Sequence, residues 1–345
     1  MTSFAKFGIG RALLFTLVLV EALAAEAQTY SIIDLGTLGG KNSFGFAINA
    51  LGHAVGSSDN PDGHAHAFLW TKAAGMEDLG TLGGASSKAF GINASGQVVG
   101  WSTTAENSTH AFLWTKANGM RDLGALNNGS SFATAVNDLG QVVGYSVDPN
   151  SGPTHAFLWT EKDGMRELDS PRGIDSRALA INVLGNVVGW SGSKGGPARA
   201  FLWTNAGTVQ ELPLDSSQES QAVGINASGE IVGWRNKTGE QRATFTWIRD
   251  TGSRELDSPA AAFDTRAAGL NAFGQIVGTA FGTDSGMRAF VWTKSTGAVF
   301  LSDLVPLNSG WTVNVASAIN NMGQIVGYGS IDGRTRAFLL SPVRL

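Results

Sequence analysis

A unit of about 44 residues is written seven times along this chain, and little lies outside it. One line of it reads Ile-Asn-x-x-Gly-x-Val/Ile-Val-Gly. Its Asn recurs as Asn49, Asn93, Asn137, Asn182, Asn226, Asn271 and Asn320. A second line, His/Arg-Ala-Phe-Leu-Trp, follows each copy and places Phe68, Phe112, Phe157, Phe201, Phe245, Phe290 and Phe338. A fixed period of this length points to a stacked or radial array before any other consideration. It also means that a residue recurring in a column is first a building element, and only second a candidate for chemistry.

Within the second unit, Ser87–Ile92 leads through Asn93-Ala94-Ser95-Gly96 into Gln97–Trp101. Asn and Gly at that spacing between β-rich runs predict a tight hairpin, both residues tolerating the left-handed backbone region. His110–Trp114, a Gly-containing turn and Met120–Leu123 complete the unit. Each unit therefore predicts four short strands, A to D, with tight A–B and C–D turns. In strand A the fourth and second positions before the Asn are Ala or Gly in all seven copies, for example Ala89 and Gly91, with larger residues between. Such alternation describes a strand with two unlike faces, and its small face suits the crowded centre of a radial array. Strand A is expected to be innermost.

Four strands per unit match a β-propeller blade. The ends choose between a ring and an open solenoid. The last unit stops at Leu345 without a strand D, while an extra D-like run, Ile32–Leu35, precedes the first. An N-terminal D completing a C-terminal A–B–C blade closes the ring and removes both sheet edges. The expectation is an all-β, seven-bladed propeller with four antiparallel strands per blade and a 1+3 closure, occupying residues 28–345.

Residues 1–27 read as a signal peptide. Lys6 and Arg11 precede the apolar run Ala12–Val20, and Ala25-Glu26-Ala27 offers a cleavage site. The run is too short to span a bilayer, and no membrane span is expected after its removal. This predicts export, to the periplasm or beyond the cell. The chain has no Cys, which excludes a disulfide scaffold, so stability rests on a core. A net charge of −4 gives no footprint for nucleic acid. A monomer is expected.

The columns discount most conspicuous residues. His66, His110 and His155 share one position that elsewhere holds Arg199, Ala243, Arg288 and Arg336, a poor pattern for a metal ligand. Strand D carries an acidic column, Asp34, Asp78, Asp122, Glu167, Glu211, Glu255 and Asp303. Whether the two columns touch stays open at this level. Six of the ten tryptophans end strand C, and Trp101, Trp190 and Trp234 end strand B, positions suited to packing between blades. No Ser–His–acid signature, phosphate loop or HExxH motif is present, and no cofactor or metal is expected.

Function is then sought in what does not repeat. The B–C and D–A loops vary and fall on one face; the B–C loops run from 57–65 in the first unit to 329–335 in the last. They supply Asp59, Asp62, His64, Glu106, Asp148 and Asp284 as candidate partner-binding residues. Lys88, Arg177 and Arg266 open strand A in three blades and would make a partly basic channel mouth. Trp311 stands off both tryptophan columns, in the last D–A segment.

The recurrence of His-Ala-Phe-Leu-Trp, Ile-Asn-x-x-Gly-Gln-Val-Val-Gly and Asp-Leu-Gly-x-Leu-Gly-Gly resembles the bacterial extracellular HAF-repeat family, over the chain from about residue 31 to Leu340. The resemblance implies export and a propeller. It implies no activity, and the replacement of His by Arg or Ala in later copies argues against the imidazole as the functional group. The expectation is a secreted, non-enzymatic binding module for a glycan or a surface protein, acting through the B–C/D–A face. The alternatives are a polysaccharide-acting enzyme with its site at the channel mouth and a purely structural exported protein.

Overall fold

Seven antiparallel sheets of four strands each follow one another along the chain. The structure, a computed structural model, describes residues 29–149, 152–170, 172–173, 175–193, 196–214, 218–237, 241–259, 262–282 and 286–343. The signal-peptide expectation for 1–27 lies outside the described residues. In blade 1, strands A to D are Ser43–Ile48, Ala54–Asp59, Ala65–Thr71 and Gly75–Asp78. In blade 7, A to C are Thr312–Ile319, Ile325–Ile331 and Arg334–Pro342. Tyr30–Asp34 fills the D position there, running from Tyr30 opposite Pro342 to Asp34 opposite Phe338. The 1+3 closure read from the unpaired N-terminal strand is thus the observed one.

The remaining A strands are Gly83–Ile92, Ser130–Val136, Asp175–Ile181, Ser220–Ile225 and Ala262–Leu270 in blades 2 to 6. Each lies against the A strands of both neighbouring blades, and blade 7's lies against blade 1's. Strand A therefore rings the axis, as its small residues suggested. Those small residues face neighbouring blades: a Cβ at Gly45 would collide with the Val326 side chain, and one at Gly91 would press on Ala135.

The core is divided among the seams between blades. Val55 and Leu69 of blade 1 meet Val98, Phe112 and Trp114 of blade 2. The closing seam repeats the pattern, with Val326 and Leu339 of blade 7 on Phe68 and Trp70 of blade 1. All seven column phenylalanines are at most 2% exposed. Truncating one to Ala typically costs about 3–5 kcal/mol in a packed core.

Two features of this packing escape the alternation pattern. A β-bulge interrupts the A–B register in every blade, between Gly45 and Ala47 in the first and at the equivalent place in the other six. The bulge drives the carbonyl of the residue before it towards strand B, which explains the Gly of Val-Val-Gly: a Cβ on Gly56, Gly100 or Gly144 would overlap the carbonyl oxygen of Phe44, Lys88 or Phe132. The second is a hydroxyl column beside strand A. Ser87 Oγ accepts the Ala67 N–H at 2.9 Å, Ser131 accepts that of Ala111 at 2.7 Å, and Ser43 accepts that of Ala337 at 3.0 Å across the closing seam. These bonds satisfy backbone groups at the seam that would otherwise be buried unpaired.

Candidate functional site

The axial channel has two unlike mouths, one at each end of strand A. At the A–B turn end stand the seven motif asparagines, 4–7% exposed. Each side-chain amide donates to the Asn carbonyl of the next blade at 3.0–3.3 Å, and Asn320 donates to Asn49, closing a hydrogen-bonded ring. Each Oδ1 accepts the N–H four residues on, at 2.9–3.1 Å. This corrects the sequence reading of the turn. The left-handed backbone falls on the turn glycines, such as Gly96 at φ 81°, and not on the asparagines. Asn is required because its amide satisfies its own turn and reaches the neighbouring blade at once. Beyond the ring the turn tips expose Leu51, Leu139, Leu184, Phe273 and Met322.

At the other end the D–A chain enters strand A, and the first residues after the hydroxyl column differ from blade to blade: Phe44, Lys88, Phe132, Arg177, Gln221, Arg266 and Val315. Each lies opposite a strand B residue, for instance Lys88 opposite Trp101, Phe132 opposite Tyr145 and Arg177 opposite Trp190. The side chains interleave. Lys88 Nζ lies 5.9 Å from the Trp101 ring, Trp101 packs edge-on to Phe132 at 6.2 Å, and Phe132 stacks on Tyr145 at 5.0 Å. The Arg177 guanidinium then lies 4.3 Å from Tyr145 and 5.4 Å from Trp190. These residues are half-buried. A second aromatic group, Phe90–Phe46–Phe44–Tyr328, links blades 2, 1 and 7 through ring contacts of 5.1 to 6.5 Å.

The bulge position, two residues further down strand A, is half-buried in all seven blades. An innermost strand flanked by neighbours meets solvent only in the channel, so this position lines the lumen. It holds Phe46, Phe90, Thr134, Leu179, Val223, Ala268 and Ser317. The lumen is therefore aromatic and bulky on the side of blades 1 and 2, and small-walled on the side of blades 6 and 7.

The candidate residues from the sequence scatter over this frame. Lys88 and Arg177 share the loop-face mouth and bracket the Trp101–Phe132–Tyr145 run. Arg266 pairs with Asp264 at 3.0 Å and lies 4.6 Å from the Phe281 ring. Asp59 accepts hydrogen bonds from the Asn42 backbone and side chain at 3.1 and 3.0 Å, tying the D–A segment to the end of strand B. Asp62, His64 and Glu106 are exposed on loops, and the His64 N–H donates to Asn60 Oδ1. Asp148 accepts from Asn127 at 2.9 Å and lies 3.3 Å from His155 Nε2. Asp284 lies outside the described residues. Trp311, which the sequence singled out, packs edge-on to Phe338 at 5.8 Å and joins the blade 7 core. No hydrogen bond or ion pair among the described residues links Asp59, Asp62, His64, Glu106 and Asp148 to one another.

The His/Arg and acidic columns do touch. His66 meets Asp78 at 2.8 Å, His110 meets Asp122 at 2.8 Å and His155 meets Glu167 at 2.7 Å. Arg288–Asp303 and Arg336–Asp34 repeat the pairing at 3.2 and 3.8 Å. In blade 5, where Ala243 leaves the column empty, Arg235 and Lys237 reach Glu255 instead, at 3.1 and 2.5 Å. Burial would raise the Glu255 carboxyl, but these two cations outweigh it and hold it below the usual range. Outside blade 5 the columns join C to D at the outer side of the sheet, away from the channel, and are staples.

A family model described as "Protein of unknown function (DUF3466)" matches residues 82–212, under half of the chain. No curated protein matches it. Among solved structures the chain is similar to virginiamycin B lyase from Staphylococcus aureus, with a TM-score of 0.56 and 12% identity over 92% of this chain and 100% of that one. It is similar to the BP39L lectin from Burkholderia pseudomallei, with a TM-score of 0.52 and 9% identity over 92% of this chain and 98% of that one. It also resembles puromycin hydrolase, with a TM-score of 0.56 and 15% identity over 86% of this chain and 51% of that one. At such identities the likeness is one of fold, on which unrelated functions are built. Among the described residues no helix is long and apolar enough to cross a membrane, and no cluster of three or more His, Asp or Glu could hold a metal.

Proposed function

We propose that this propeller is an exported, non-enzymatic binding module that takes a glycan at the channel mouth ringed by the B–C and D–A loops. The observation that carries the reading is the half-buried run Lys88–Trp101–Phe132–Tyr145–Arg177–Trp190. Half-buried rings interleaved with cations offer apolar ring edges and hydrogen-bond donors together, a combination that suits the apolar faces and hydroxyl edges of sugar rings. The support for export is the charged-then-apolar leader at Lys6–Val20 and the resemblance to the extracellular HAF-repeat family.

An enzyme acting on polysaccharide would need an acid/base pair of carboxylates facing its substrate. The repeated carboxylates of strand D are stapled to strand C instead. The test is a glycan array read with the mature protein and with Trp101→Ala and Phe132→Ala variants. Binding that both variants lose supports the reading. Product release from a polysaccharide, abolished by Asp148→Asn or another single loop-carboxylate change, would replace it with the enzymatic one.

A further inference from the structure

The cations at the loop-face mouth are held among aromatic rings. Several basic side chains elsewhere are met by carboxylates, among them Arg121 by Glu161, Arg172 by Glu211, and Arg235 and Lys237 by Glu255. At the mouth itself Arg266 is neutralised by Asp264. Lys88 and Arg177 make no ion pair with any described carboxylate. Neither the Lys88/Arg177 position of strand A nor the bulge position holds an acidic residue in any of the seven blades, and Asp175, which opens strand A of blade 4, accepts the Thr154 N–H at 2.9 Å. A chain of net charge −4 thus keeps two cations without an ion pair where its channel opens.

Arg177 is the more specific of the two. Its guanidinium is held against both Tyr145 and Trp190. Its Nε is buried and has no hydrogen-bond partner among the described residues. A buried donor left unpaired keeps its desolvation cost, which a ligand acceptor would recover. A planar guanidinium presents paired donors that match a carboxylate in two parallel hydrogen bonds, which an ammonium cannot reproduce. Packing on two aromatic rings fixes its orientation beforehand and lowers the entropy lost on binding.

From this we propose that the ligand is an acidic glycan. A uronate-type sugar ring lies against the outer edges of Trp101, Phe132 and Tyr145, its carboxylate is received by Arg177, and Lys88 serves the next acidic unit at the far end of the same run. The inference rests on the binding-module reading above and specifies its ligand class.

The test is calorimetric titration of the mature protein with a polygalacturonate oligomer and with a neutral dextran of matching length, at low and high ionic strength. Polygalacturonate should bind more tightly than dextran, and salt should narrow the gap. Arg177→Gln should weaken polygalacturonate binding about tenfold or more, with Arg177→Lys recovering only part of it and Lys88→Gln costing less. Unchanged thermal unfolding of these variants separates lost contacts from lost structure. If a variant unfolds early, competition by free galacturonate on the unaltered protein gives the same answer. Equal binding of both polymers, indifferent to Arg177→Gln, overturns the acidic ligand and leaves the binding module intact. No binding of either polymer, together with a glycan array blank for protein and variants alike, overturns both.

Discussion

The same seven strands make both mouths of the channel, and they make them differently. At the A–B turns every blade contributes the same residue in the same geometry, and the asparagines join into one hydrogen-bonded ring. At the loop face the equivalent positions hold Phe, Lys, Phe, Arg, Gln, Arg and Val. The backbone is constrained at both ends, since a bulge and a glycine opposite it recur in all blades. What differs is the side chain's task. At the turn mouth the side chain holds the next blade, so no blade can vary alone. At the loop mouth the blade is held by backbone and by the serine column, so the side chain is free to diverge. Uniformity marks where the ring is fastened, and divergence marks where the side chains are released from that task.

That contrast can be broken by experiment. The largest effect should follow from deleting residues up to Leu35, which removes the strand opposite Arg334–Pro342 and re-exposes a sheet edge. Loss of a single cooperative unfolding transition, with aggregation in size-exclusion chromatography, is the expected result. Next, Gly144→Ala should cost about 3 kcal/mol or more in denaturant unfolding, because its Cβ has no room beside the Phe132 carbonyl. Asn137→Ala should cost about 2–4 kcal/mol, since it orphans the Leu139 and Gln141 N–H groups and removes the bond across the seam, leaving the Asn182 carbonyl with the Gly185 N–H alone. By contrast, Arg177→Gln at the loop mouth should cost less than about 1 kcal/mol of stability while weakening the proposed acidic-glycan binding about tenfold or more. A turn-mouth change that spares stability, or a loop-mouth change that destroys it, would erase the distinction.

The smallest effect belongs to the outer staples. Burial pulls the His155 imidazole down, but its hydrogen bonds to Glu167 and Asp148 and their negative charges win and raise it above its ordinary value of 6.5. A group whose folded pKa is raised contributes stability below its unfolded pKa and loses that contribution as pH rises through the folded one. The stability difference between the protein and His155→Gln should therefore be greatest in mild acid and shrink as pH climbs above about 6.5. The Arg336–Asp34 pair of blade 7 should show no such change over that range, since arginine stays charged throughout. Denaturant titrations at two pH values check both.

Much of the scaffold was legible in the sequence because a repeat multiplies weak signals. The unpaired strand before the first unit implied closure, and the Ala/Gly alternation placed strand A at the centre. Local rules misled at the asparagines. Asn before a turn glycine has an adequate local explanation, and nothing within one unit reveals that its amide points to the next. The serines escaped notice for the same reason, as their partners lie 20 residues back in the preceding blade. The proposed loop-face site was half legible. Lys88 and Arg177 stood out as strand-opening cations, but the aromatic run between them alternates between strands A and B of successive blades, an order that only three dimensions supply. Asp59 looked free of the pattern because the residue type that pins this loop changes between blades, Thr103 holding Ser86 in the second, and Trp311 because its task is to fill one core.

The asparagine ring also carries a direction. Every amide hands its hydrogen to the following blade, never to the preceding one, so the seven bonds circulate in a single rotational sense around the axis. A stack with free ends can gain or lose a unit and relax locally. A circuit cannot, because removing one member obliges every remaining step to turn through a wider angle. The repeat number is therefore fixed by the whole circumference at once, and evolution by duplication must either preserve seven or redraw every seam.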